Sequence, residues 1–116
     1  MAAAISYPYP HINWSPTEKK IARKAFDKAY EEQCASIRAH ALDLLTKVST
    51  PSDLWQVEDY LYTQRKETDQ VFDYRYSVLL HVFSTLLAKS WLTETDLAGL
   101  RDDKIETIKK WARLDS

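Results

Sequence analysis

An all-α fold is predicted for this chain by three observations. The 116 residues contain one glycine, Gly99, and four prolines, which is too little turn chemistry for a set of β-hairpins. The prolines stand before or at predicted helix starts, where a missing N–H costs least. Between them, apolar residues return at three- and four-residue intervals through long windows, the period of an amphipathic helix. The length suits one domain with a single core. The expected organisation is a tail over residues 1–13 and one helical domain over 14–116, with long helices at about 16–48 and 51–70 and a helical head at about 74–114.

Each element has its own justification. The first thirteen residues carry Pro8 and Pro10 among tyrosines, cannot continue a helix and read as a flexible, extended tail. Ser15, with Pro16 next and Glu18 three residues on, has the capping-box pattern of a helix start. Ile21, Ala22, Ala25, Phe26, Ala29, Tyr30, Ala41, Leu44, Leu45 and Val48 then carry a helix of about 30 residues to Ser49, Thr50 and Pro51. Such a helix is too long for a compact bundle of this size. Thr50 caps the second helix, with Pro51 in its first turn and Asp53 at the positive end of its dipole. After about Gln70, the run VFDYRYSVLL either bends that helix or restarts it near Asp73 as an N-cap. Val78, Leu79, Val82, Phe83, Leu86 and Leu87 form a wide apolar face ending near Ser90. Thr93 and Asp96 open a short helix that Gly99 closes. The last helix follows Asp102 and presents Ile105, Ile108, Trp111 and Leu114 as one stripe for docking on the third.

Composition removes several function classes. Sixteen basic and seventeen acidic side chains give a net charge of −1, so there is no nucleic-acid footprint and partners are expected to be proteins. The opening MAAAISYPYPHINW lacks the basic and apolar regions of a signal peptide, and no window approaches the roughly 20 apolar residues of a membrane span. A soluble, unexported chain without membrane insertion is expected. The lone Cys34 fits a reducing cytoplasm and a small buried structural thiol. His11, His40 and His81 form no i, i+4 pair and no CxxC is present, which gives metal binding no local support. One glycine excludes glycine-rich phosphate loops. Glu58 and Asp59 diverge by about 100° on a helix and make a poor acid/base pair. No enzyme, no catalytic residue and no cofactor are expected.

The segment DLWQVEDYLYTQR, residues 53–65, is different in kind because it has two faces. Leu54, Val57 and Leu61 share a stripe with Thr68 and Phe72, the ordinary inward face. Trp55, Glu58, Asp59 and Tyr62 fall on the other side, with Arg65 at its edge. Large aromatic area mixed with both signs of charge reads as a protein-binding surface rather than as solvated charge, since exposed aromatics in register with charges are costly without a partner.

At these residues the chain resembles the fluorescence recovery protein family of cyanobacteria. The resemblance runs through WSPTEKKIARKAFDKAY, DLWQVEDYL with Arg65, Glu67 and Asp69 after it, FDYRYSV and DKIETIKKWARL, nearly all of the chain beyond the tail. It implies an elongated homodimer of antiparallel helices with a small helical head. It also implies a cytoplasmic regulator, associated with the phycobilisome or thylakoid, that binds the photoactivated orange carotenoid protein through that protein's C-terminal domain. The regulator would speed the return to the orange form and end phycobilisome fluorescence quenching. By position, the family's central patch falls on Trp55, Asp59 and Arg65. Glu58 stands where the family usually has histidine. On the head, His81 stands near a family aromatic and Thr107 near a family lysine, which marks both as partner-contact positions. The alternative is a divergent helical dimeric adaptor of the same family with a different protein partner.

Overall fold

The computed structural model describes residues 13–115, so the expected tail falls outside the described residues apart from Asn13. Helix α1 spans Pro16–Thr46, 31 residues. It starts where Ser15 Oγ accepts from the Glu18 N–H at 3.1 Å and Glu18 Oε1 accepts from the Ser15 N–H at 3.0 Å, a reciprocal cap that satisfies two orphan donors. Its last turn tightens as the Lys47 N–H donates to the Leu44 carbonyl at 3.1 Å. Helix α2, Pro51–Val71, opens on a second reciprocal cap. Thr50 Oγ1 accepts from the Asp53 N–H at 3.1 Å, and Asp53 Oδ2 accepts from the N–H groups of Ser49 and Thr50. The Ser49 and Thr50 bonds hold the Asp53 carboxyl below the usual range against the opposing effect of its partial desolvation.

The end of α2 settles the choice that the sequence left open. The chain leaves the helix at Phe72 and does not re-enter one until α3, Leu79–Ala88, whose N-cap Val78 makes no side-chain cap bond. Asp73 lies five residues before that N-cap and does not cap; both of its oxygens accept from Arg75. The intervening segment is instead held by rings. Phe72 packs edge-on against Phe26 at 5.3 Å and Tyr30 at 5.2 Å, and Tyr74 against Phe26 at 4.9 Å. Burial, helped by Tyr76, pushes the Tyr74 hydroxyl up to about 12.

The head completes the chain. After α3, Ser90 takes a left-handed φ of 67°. A 3-10 turn, Glu94–Leu97, is capped reciprocally by Thr93 and Asp96, and α4 spans Asp102–Asp115. The core consists of Leu79, Leu80, Val82, Phe83, Leu86, Leu92, Leu97, Leu100 and Ile108 against Ala22, Ala25, Phe26 and Ala29 of α1. The alanines let the head settle close to the helix axis, with each buried leucine contributing roughly 1.5–3 kcal/mol. The α4 stripe is only partly as expected. Ile108 is fully buried, but Leu114 is 76% exposed, and Lys104 and Ala112 take buried places instead.

Gly99 shows how tightly the head meets α1. Its φ is +101°, and a Cβ there would lie 2.5 Å from Ile21 Cδ1. Gly99→Ala is therefore expected to cost about 1–3 kcal/mol from backbone strain, seen as a lower midpoint in thermal unfolding. An unchanged midpoint would contradict that backbone conformation.

Beyond the head, the distal half of α1 and most of α2 form an arm. Its buried apolar side chains are Ala41 and Val57, and Gln33 Nε2 donates to Thr68 Oγ1 at 2.9 Å across the pair. The expected inward stripe is thus covered only in part. Leu54 and Leu61 are 41% and 43% exposed, while Val57 and Thr68 are buried. The radius of gyration is 17.2 Å and the extents are 53 × 32 × 22 Å, against about 13 Å for a compact domain of this length.

Candidate functional site

The α2 face predicted as a binding surface stands free of its own core. Trp55 is 59% exposed and Tyr62 65%, and Glu58, Asp59 and Arg65 are exposed with them. Their relative placement follows from the Thr50 cap, which fixes where the helix begins, and from Val57 and Thr68, which fix its rotation against α1. Lys66 Nζ sits 5.8 Å from the centre of the Tyr62 ring, a contact of roughly 0.5–1 kcal/mol at such an exposed site. Arg65 Nε lies 3.9 Å from Asp69 Oδ2, one turn on, rather than against Asp59. A loose exposed pair of this kind contributes little and leaves the guanidinium available to a second carboxylate.

Exposed leucines are also present on both helices of the arm. Leu42 and Leu45 of α1 are about as exposed as Leu54 and Leu61 of α2. Large apolar side chains left this exposed are surface for another chain to cover. The sequence pattern did not single out these four leucines as surface groups, because a 3.6-residue period says that a face is apolar without saying what covers it.

On the head, His81 is exposed, with its ring 6.5 Å from that of Trp111, so it is an edge histidine rather than a core one. Thr107 is half-buried, and its hydroxyl donates to the Asp103 carbonyl at 2.8 Å. His81 and Thr107 lie on α3 and α4, apart from the α2 face. Cys34 is half-buried rather than buried, beside Tyr30, whose hydroxyl it pushes upward. Among the described residues no group of three or more His, Cys, Asp or Glu side chains is placed to hold a metal ion, and no helix is long and apolar enough to cross a membrane.

A buried ion pair joins α4 to the start of α1. Lys104 Nζ donates to both Glu18 oxygens at 3.0 Å, with side chains 1% and 5% exposed, and the Arg101 N–H donates to Glu18 Oε2 at 2.9 Å. Burial pushes the Glu18 carboxyl up, but the bonds from Ser15, Arg101 and Lys104 outweigh it and hold the group lowered to about 2. The capping residue of α1 is therefore also the anchor of the head. Lys28 Nζ adds a second tie, 2.8 Å from Asp96 Oδ2. The available signal was a lysine in register with Ile108 and Ala112, a charge on a buried face that demands a partner.

Comparison with known proteins gives one consistent result. A family model described as photoprotection regulator fluorescence recovery protein matches residues 14–112. The fluorescence recovery protein of Synechocystis sp. (strain ATCC 27184 / PCC 6803 / Kazusa) is 34% identical over 101 residues, 87% of this chain and 93% of that protein. The solved structure of the Fremyella diplosiphon fluorescence recovery protein superposes with a TM-score of 0.82 at 37% identity, covering 87% of this chain and 99% of that one. The Synechocystis sp. PCC 6803 structure gives a TM-score of 0.82 at 33% identity with the same coverage.

Proposed function

Because this chain belongs to the photoprotection regulator fluorescence recovery protein family, we propose that it binds the photoactivated orange carotenoid protein and returns it to the resting orange form, ending phycobilisome quenching. The observation that carries this reading is the α2 face, with Trp55, Asp59 and Arg65 exposed on a helix whose own core lies elsewhere. The acting species is a homodimer, in which the exposed leucines of the arm and Trp55 meet their counterparts and Asp59 and Arg65 pair across the two-fold axis or with the partner. Acceleration without chemistry requires differential affinity. The regulator must hold a compact arrangement of the two carotenoid-protein domains better than the separated one, since equal affinity for both would shift nothing. The C-terminal domain is the expected docking partner, with His81 and Thr107 as head contacts.

Co-elution in gel filtration with the illuminated carotenoid protein, and not with its dark form, is the test of binding. Glu58 adds a second carboxylate beside Asp59, and His81 and Thr107 lack the aromatic and the lysine expected of the family. The triple change Glu58→His, His81→Phe, Thr107→Lys should therefore tighten binding about ten- to a hundred-fold, the effect of regained contacts worth roughly 1.5–3 kcal/mol. If neither the wild type nor the triple variant binds while both remain folded, the carotenoid-protein reading is contradicted.

A further inference from the structure

The head end of α1 concentrates one sign of charge. Residues 1–26 contain a single carboxylate side chain, Glu18, and it is buried against Lys104. Over the same stretch Lys19, Lys20, Arg23 and Lys24 are all exposed. Arg23 Nε lies 3.3 Å from Asp27 Oδ1 in an exposed pair, while the three lysines have no ion-pair partner among the described residues. At 100° per residue the four cations occupy one sector of about 140° on the helix. The opposite side carries Ala22, Ala25, Phe26 and Ala29 into the core. In a chain of net charge −1 this is local segregation of charge, not a reflection of composition.

Rings hold part of this surface in place. Lys19 Nζ stands 5.2 Å from the centre of the Tyr76 ring and the Arg23 guanidinium 4.5 Å from that of Tyr74. The two rings lie 5.5 Å apart and are backed by Trp14 at 5.8 Å and Phe26 at 4.9 Å. A cation seated on a ring has given up side-chain freedom before a partner arrives, so less ordering remains to be lost on binding. Lys19 and Arg23, like Lys20 and Lys24, stand one turn apart, about 6 Å along the axis, close to the spacing of alternate side chains on an extended segment. We propose that Lys19, Lys20, Arg23 and Lys24 form a docking site for an acidic segment of a partner protein, whose carboxylates meet the two rows of cations. Charge complementarity favours this occupant. A lipid surface would need an apolar face on the same helix, and here that face is in the core. The site lies on α1 and is independent of the α2 face and of the carotenoid-protein reading.

The test titrates a fluorescein-labelled octaglutamate peptide with the full chain at low ionic strength and reads binding by anisotropy. The combined change Lys19→Gln, Lys20→Gln, Lys24→Gln should weaken binding about tenfold. A control combining Arg38→Gln, Lys89→Gln and Lys110→Gln alters the net charge equally, by exposed residues elsewhere, and should weaken it less than about threefold. Circular dichroism reports that both variants are folded; all six positions are exposed and outside the core. Equal losses in the two variants would reduce the attraction to net charge, which overturns the proposal, as would octaglutamate that does not bind the wild type. Binding of phosphatidylglycerol vesicles or of a thymidine oligonucleotide that octaglutamate fails to displace would assign the surface to a lipid or a nucleic acid, and would overturn it as well.

Discussion

Lys104→Met is expected to destabilise the fold by about 3–5 kcal/mol, because it removes one partner of a buried pair and leaves the other uncompensated. Glu18 would keep its bonds from the Ser15 and Arg101 N–H groups but lose the ammonium that neutralises it. For a domain of this size the unfolding midpoint should fall by very roughly 4–8 °C per kcal/mol, a drop of about 12 °C or more. The double change Glu18→Gln with Lys104→Met should recover much of that loss, since a neutral pair leaves no buried charge while the amide keeps an acceptor for the cap. The acid limb has the sign of a depressed carboxyl. Glu18 is lowered to about 2 when folded, so its contribution is complete above the ordinary carboxyl range and is lost as pH falls from there towards 2. Urea unfolding from neutral pH down to 2 measures this, and Glu18→Gln should flatten that part of the profile. A Lys104→Met protein as stable as the wild type would contradict the buried pair.

Trp55→Ala is expected to convert a dimer into a monomer at micromolar concentration. Truncating a Trp at the centre of an interface costs about 3–5 kcal/mol, more than a hundredfold in dissociation constant. The fold itself should be unaffected, because Trp55 is 59% exposed and outside the head core. Light scattering gives the mass and circular dichroism the helix content. A Trp55→Ala protein that keeps the dimer mass would remove this residue as the anchor.

The parts of this fold that the sequence made legible are those set by near neighbours. Ser15 with Glu18, Thr50 with Pro51, and Thr93 with Asp96 each place a helix start within a few residues, and each cap forms as read. Features set by distant residues were not legible. The end of α2 is decided by Phe72 and Tyr74 meeting Phe26 and Tyr30 on another helix, which no local pattern encodes. Glu18 and Lys104 are 86 residues apart in sequence, so the capping role of Glu18 was readable and its buried pairing was not. The α2 face of Trp55, Glu58, Asp59, Tyr62 and Arg65 was readable because helical geometry alone puts those residues on one side. The exposure of Leu54 and Leu61 was not, because periodicity identifies an apolar stripe but cannot tell intramolecular cover from cover by another chain.

The central claim, that this surface works on a photoactivated carotenoid protein, is tested most directly by timing the red-to-orange recovery of the orange carotenoid protein in the dark. Recovery should quicken in proportion to the amount of this protein added, and should respond less to Trp55→Ala at equal concentration. An unchanged recovery rate with the folded, dimeric wild type, and again with the Glu58→His, His81→Phe, Thr107→Lys protein, would contradict it.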